Sequence, residues 1–125
     1  MLAVAGYLNI RSDIFPRIAT GFCGGISRTG GMCGAVSGGI LSLGLAFGRS
    51  SQAEKSDQCY TAVRGFMKTF ASQFGSLYCP ELTGFHLGTP QGHAAFMASD
   101  QMAHCTEYVV EATRLVVDIL DQQKS

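Results

Sequence analysis

The chain has 125 residues, enough for one domain with its own hydrophobic core, so we predict a single domain over residues 1–125. Hydrophobic residues make up 46% of the sequence and charged residues only 14%, and nine Lys and Arg balance nine Asp and Glu. Nucleic-acid binding needs clustered Lys and Arg to neutralise phosphates, and no such cluster is present, so we exclude a nucleic-acid partner.

The N-terminal part of the sequence predicts short helices on both sides of a glycine-rich turn. Residues 2–8 have a helical pattern, although no capping residue precedes them, and a second helix is expected to begin near Ile14. Eight of the twenty residues from 21 to 40 are glycine, which is typical of a sharp turn. A third helix should begin near Cys33 and end at Gly48.

The middle of the sequence predicts one amphipathic helix. Ser51 and Glu54 have the spacing of a capping box, which predicts that this helix begins at Ser51, and Gly75 should end it. The apolar residues at helical spacing predict one buried stripe. They are Tyr60, Val63, Phe66, Met67, Phe70 and Phe74.

The C-terminal part predicts a short helical turn at Cys79, a loop over residues 84–93, and a last helix from about Ala94 to Gln122. The last helix carries its own apolar stripe. Its members are Met97, Gln101 or Met102, Cys105, Tyr108, Val109, Ala112, Leu115, Val116, Ile119 and Leu120. Because no segment alternates with the period of a strand, we predict an all-α fold, a compact bundle of about four to five helices with a Gly-rich turn.

The sequence indicates a cytoplasmic protein without a membrane span. Residues 29–48 carry no charge, but seven of them are glycine, which favours a buried helix over a span. The N-terminus lacks the features of a signal peptide. The five cysteines form no CxxC and have an odd count, which is atypical of a secreted disulfide framework and fits a reducing compartment.

The glycine-rich segment raises the possibility of an anion site. Backbone N–H groups at the start of a helix bind anions, and Arg28 could hold an anion there. However, neither the GxxxxGK[ST] nor the GxGxxG motif is present, so support for a nucleotide site is weak. Gly34 and Gly38 lie four residues apart and predict a flat helix face for close packing against another helix, or for dimerisation.

The cysteines suggest a thiol site. Cys33 and Cys79 each lie at a predicted helix N-terminus, where the helix dipole lowers a thiol pKa. Cys105 lies on the apolar stripe of the last helix and contributes only if the other two converge on it. Three such thiols could bind a metal or exchange disulfides. Cys59 is interpreted as a packing residue.

The histidines are weaker candidates. His104 lies next to Cys105 in sequence, but about 100° around the helix, which favours a surface position. His86 and His93 lie in or at the end of the Gly/Pro loop and could reach the same centre. No GxSxG motif is present, so a hydrolase has no support.

Three segments in order resemble the C_GCAxxG_C_C family, small α-helical domains suspected of redox or metal–sulfur chemistry and related to part of the split-Soret cytochromes. They are GFCGGISRTGGMCGAVSG, FGSLYCPELTG and HCTEYVVEA, and the resemblance extends from about Ala19 to Val110. It implies four characteristic cysteines, with the second to fourth at Cys33, Cys79 and Cys105. The first is expected in an NC-A/S-Q motif before the first helix, and it is missing here, because MLAVAGYLN is where that helix is already expected to be under way.

These observations leave two hypotheses open. The first is a redox or metal-binding protein whose centre is Cys33, Cys79 and Cys105, with Cys23 as an extra thiol that could replace the missing ligand. It would use an iron–sulfur cluster, a single thiolate-bound metal or dithiol–disulfide exchange, with an unidentified redox partner. The second is a small helical binding or assembly module, which could form a homodimer and in which the cysteines are structural.

Overall fold

The computed structural model describes residues 1–123, and the regular elements of this part of the chain are helices, which confirms the predicted all-α class. The elements follow in the order α1 (Leu2–Tyr7), α2 (Ile14–Ala19), a 3-10 turn (Thr20–Phe22), α3 (Cys23–Arg28), α4 (Gly34–Phe47), α5 (Asp57–Phe74), α6 (Cys79–Thr83), α7 (Pro90–Ala98) and α8 (Gln101–Gln123). Within residues 1–123 no helix is long and apolar enough to cross a membrane.

The core lies where α4 packs against both α5 and α8. Val36 and Leu43 of α4, Phe66 of α5 and Val116 of α8 are fully buried in it. Gly39 of α4 allows this close contact, because a Cβ at this position would lie 2.6 Å from Cε2 of the Phe66 ring. The glycines that weaken α4 as an isolated helix therefore permit its burial between two others.

The glycine-rich turn contains an unusual backbone. Residues 24–28 of α3 all have positive φ, so that this short element is a left-handed turn. Two of the five are glycines, which adopt this conformation readily, but Ile26 (φ 59°) is β-branched and rarely does. A conformation this costly persists only where surrounding contacts impose it.

The helix predicted from Ser51 begins at Asp57 instead, so the predicted capping box is wrong as a helix start. The Glu54 carboxylate accepts a hydrogen bond from the Ser50 N–H (3.1 Å) and closes a local turn. Residues 50–56 contain no large apolar side chain that a helix there could bury, so tertiary packing does not extend α5 backwards. Tyr60, placed on the buried stripe, is 54% exposed.

The predicted last helix is two helices, because the chain breaks at Ser99 between α7 and α8. The Ser99 hydroxyl accepts from the Gln101 N–H (3.2 Å) at the start of α8. Likewise, the Thr89 hydroxyl accepts from the Gly92 N–H (3.0 Å), so α7 begins at Pro90, inside the predicted loop. Both starts use a hydroxyl to satisfy an otherwise unpaired N–H group.

Candidate functional site

An isolated antiparallel bridge between Met32 and Tyr78 connects the two cysteine-bearing helix starts. The Cys33 N–H donates to the carbonyl of the residue before Tyr78 (2.8 Å), and the Cys79 N–H donates to the carbonyl of the residue before Met32 (3.0 Å). Side chains alternate across a bridge, so Cys33 and Cys79 lie on the same face, opposite to Met32 and Tyr78. Such diagonal positions are separated by about 7–8 Å.

Cys33 is the N-cap residue of α4 and is half-buried. Burial raises the pKa of its thiol, while the nearby backbone N–H groups of Ala35 and Val36 act in the opposite direction and are outweighed. Among the described residues, the Cys33 side chain makes no capping hydrogen bond. The lowered pKa expected from the sequence is therefore wrong. Burial destabilises the thiolate more than the start of α4 stabilises it.

Cys79 is the first residue of α6 and is buried beneath the left-handed turn. A Cβ on Gly25 would lie 2.5 Å from the Cys79 Cβ and 3.3 Å from its Sγ, so only glycine fits there. Burial raises the pKa of the Cys79 thiol, an interaction with the Thr83 hydroxyl lowers it, and the charge of Cys33 raises it further. Here too burial opposes the lowered pKa expected from the sequence.

Cys105 lies on α8 and is half-buried. Burial raises the pKa of its thiol, and the charges of Cys33 and Cys79 raise it further. The pKa of Cys105 therefore depends on the charges of the other two thiols, and that of Cys79 on the charge of Cys33. Tyr108, one turn along α8, has a raised pKa for the same reasons, burial first and then the charges of Cys105 and Cys33.

All three thiols line one cavity of about 1230 Å³. Its walls come from α1, α2, the left-handed turn, α4, α6, α7 and α8. The other residues that the sequence nominated for binding also lie on this lining, namely Cys23, Arg28, Gly34 and Gly38. The cavity is larger than the roughly 300–1000 Å³ of most ligand pockets.

The glycine face of α4 makes contacts within the chain. A Cβ on Gly34 would lie 3.4 Å from the Phe22 carbonyl oxygen and 3.6 Å from the Cys23 Cα. A Cβ on Gly38 would lie 3.6 Å from the Met1 nitrogen. The close approach predicted at these two glycines is therefore between segments of one chain.

The side chains that could ligate a metal are not clustered in the described part of the chain. Within residues 1–123, no three or more His, Cys, Asp or Glu side chains are grouped so that they could hold a metal ion. His86 is exposed, and His104 faces solvent beside Glu107 (3.7 Å). Cys59 lies on α5, away from the cavity lining.

Two cavity residues received little or no weight in the sequence-based prediction. Tyr108 was placed on the apolar stripe of the last helix, yet it lines the cavity and its hydroxyl donates to the Leu82 carbonyl (2.9 Å). Its position three residues after Cys105, on the same helix face, was the available signal. His93 was placed at the end of a loop, whereas it lies on α7 and lines the cavity.

Comparison with known families gives one match over most of the chain. A family model described as "Putative redox-active protein (C_GCAxxG_C_C)" matches residues 1–119. This confirms the resemblance inferred from the sequence motifs. No curated protein and no solved structure matched the chain.

Proposed function

The chain belongs to the C_GCAxxG_C_C family, and from this premise we propose that it is a two-electron thiol redox protein in which Cys33 and Cys79 form the exchanging pair. The observation that carries the proposal is the backbone bridge that positions both residues on one face. Two further features support it: both thiols line the same cavity, and the charge of Cys33 acts on Cys79.

Cys33 is the better nucleophile of the pair. It is half-buried whereas Cys79 is buried, so an incoming disulfide reaches Cys33 first. Its sulfur also lies at the start of α4, where the backbone N–H groups of Ala35 and Val36 favour the thiolate and lower its pKa, against the larger effect of burial. These donors stabilise the sulfur when its proton leaves for water, and they stabilise it again when it is displaced.

The exchange proceeds in two steps that together move two electrons. The Cys33 thiolate attacks one sulfur of a substrate disulfide, forming a mixed disulfide and releasing the other sulfur as a thiolate. The Cys79 thiolate then attacks the Cys33 sulfur, which forms the Cys33–Cys79 disulfide and releases the second substrate thiolate. The substrate disulfide is reduced to two thiols, and the two protein thiols are oxidised.

The spacing of the pair adds a conformational requirement. Cα atoms joined by a disulfide are usually about 4.4–6.8 Å apart, somewhat less than the separation of about 7–8 Å for diagonal positions across a bridge. Closing the disulfide therefore shifts the backbone at the Met32–Tyr78 bridge. The left-handed turn, which packs on Cys79 through Gly25, moves with it.

The proposal is tested by mapping the disulfide formed on oxidation. The reduced protein is titrated with glutathione disulfide, alkylated, digested and analysed by mass spectrometry. We expect a peptide pair linking Cys33 to Cys79, with two thiols lost per chain. Cys33→Ser and Cys79→Ser should each abolish this link, while Cys59→Ser, a half-buried cysteine outside the cavity, should leave it intact.

Two results would contradict the proposal. One is a link in which Cys105 replaces Cys33 or Cys79 as the main partner. The other is a stoichiometric metal that is retained after purification without oxygen and is lost in Cys33→Ser and Cys79→Ser. The second result would assign the thiols to metal binding instead.

A further inference from the structure

The cavity beside the thiols has the lining of a small-molecule site. The space of about 1230 Å³ has a mostly apolar lining and is partly open to solvent, so a small molecule could enter it and be largely enclosed. It lies between α2, which contributes Phe15 and Ala19, and α8, which contributes Val109. Because both α2 and α8 contribute to the lining, a ligand in this cavity would contact more than one helix.

The chemistry of the lining limits the ligand. Most lining residues are apolar, and among the described lining residues there is no Asp or Glu. Arg28, which is exposed, and His93, which is half-buried, both belong to the lining, and within residues 1–123 the side chain of neither makes a hydrogen bond or ion pair. The ligand therefore has an apolar body and a polar end that accepts hydrogen bonds.

Arg28 and the glycine that packs on the buried Cys79 belong to the same left-handed turn. Arg28 ends the left-handed turn, and Gly25 of the same turn packs on Cys79. Arg28 is thus three residues along the chain from the glycine that packs on Cys79, and Cys33 and Cys79 line the same cavity. This juxtaposition favours a ligand whose acceptor atoms belong to the part of the molecule that reacts with thiols.

We propose that this cavity binds an apolar two-electron acceptor of the quinone class and presents its ring to Cys33 and Cys79, with a ring carbonyl accepting from Arg28. A quinone has the required apolar body, and its carbonyl oxygens are neutral hydrogen-bond acceptors. The inference rests on the proposed dithiol function, whose electron acceptor it names.

The reaction balances without another reagent. The two S–H bonds of Cys33 and Cys79 break and one S–S bond forms between them. The two electrons and two protons pass to the quinone, whose two carbonyls become the hydroxyls of the hydroquinone. One quinone is consumed for every two thiols, so the ratio of hydroquinone formed to thiols lost tests the reaction directly.

Binding is tested with decylubiquinone, whose ring carries a substituent at every free carbon and so resists simple thiol addition. The chain has no tryptophan, so a single introduced tryptophan would be the only source of tryptophan fluorescence. Val109 and Val110 are adjacent and both exposed on α8, but only Val109 lines the cavity. We expect saturable, one-to-one quenching of the tryptophan in Val109→Trp, and no saturable quenching in Val110→Trp.

The polar contact and the reaction are tested separately. Arg28→Gln should weaken decylubiquinone binding roughly fivefold, as for loss of one hydrogen bond, whereas Arg17→Gln, on the exposed α2 and outside the lining, should not. Reduced wild-type protein without oxygen should form one hydroquinone per two thiols lost. Cys33→Ser should bind the quinone and form no hydroquinone.

The outcomes separate this inference from the proposed function. If glutathione disulfide links Cys33 to Cys79 but decylubiquinone neither binds nor oxidises them, the quinone proposal is wrong and the dithiol function stands. If decylubiquinone quenches Val109→Trp but no oxidant forms the link, both the dithiol function and the quinone reaction are wrong. If Val109→Trp changes the mass measured by light scattering and quinone has no effect, a second copy covers the cavity and the proposal is overturned.

Discussion

Gly25 lies against Cys79 so closely that a Cβ on Gly25 would lie 2.5 Å from the Cys79 Cβ. Its backbone is also left-handed, with φ +72°, so a side chain there meets both a steric and a conformational penalty. The same left-handed turn contains Ile26, a β-branched residue with φ 59°. The left-handed turn therefore covers the buried Cys79.

Gly25→Ala is therefore expected to lower the free energy of unfolding by about 2–5 kcal/mol, the sum of a left-handed alanine and local overpacking. Gly75→Ala is the matched control, because Gly75 has φ +89° and a Cβ added to it would have nothing within 4 Å. It should cost only about 1–2 kcal/mol. Chemical denaturation measures both, and equal losses would show that the Cys79 contact contributes nothing.

The glycines of α4 should respond in opposite directions to alanine. A Cβ on Gly39 would meet the ring of Phe66, which is fully buried and cannot move aside freely, so Gly39→Ala should destabilise by about 1–3 kcal/mol. Gly44 lies on the same helix with nothing within 4 Å, so Gly44→Ala should stabilise by about 0.5–1 kcal/mol. Thermal or urea unfolding measures the free energy of unfolding of both variants. A stabilising Gly39→Ala would refute the close packing of α4 against Phe66.

The parts of the fold that follow from local pattern were predictable from the sequence. Cys33 does precede a glycine-rich apolar helix, and that helix ends where Gly48 follows it. The motif order also identified the family. These features depend on residues near one another in the chain, where periodicity and glycine placement are informative.

The parts that depend on long-range contacts were not predictable. The left-handed conformation of Ile26 opposes its own preference and depends on packing around Cys79. The pKa of Cys33 rises because neighbouring helices remove water from it, a fact that its place at a helix start does not reveal. The Ser51 capping box had the right residues, but no apolar surface was available to extend the helix through it.

The exposed face of α2 is where we expect a second copy to bind. No residue of α2 is buried, and Ile14 and Ile18, one turn apart, are 59% and 49% exposed. The double variant Ile14→Lys/Ile18→Lys should lower the mass measured by sedimentation while changing the free energy of unfolding by less than about 0.5 kcal/mol. Tyr60→Lys, at an equally exposed position on α5, should leave the mass unchanged, and a monomeric wild-type protein at the same concentration would rule out this association.

The cavity thiols should make stability depend on pH in the alkaline range. Burial raises the pKa of Cys33, Cys79 and Cys105 in the folded chain, so that the unfolded chain loses these protons first as the pH rises. Their contribution to stability is complete below the ordinary thiol pKa of about 8.5 and is lost as the pH rises through the higher folded values.

We therefore expect the free energy of unfolding of the reduced protein to fall between about pH 7.5 and 9.5, a range below the ordinary tyrosine pKa. Urea denaturation at a series of pH values measures the slope. Cys105→Ser should make the slope shallower, because it removes one of the buried thiols, whereas Cys59→Ser, which lies outside the cavity, should not. A slope that is unchanged in Cys105→Ser would show that burial does not control the ionisation of this thiol.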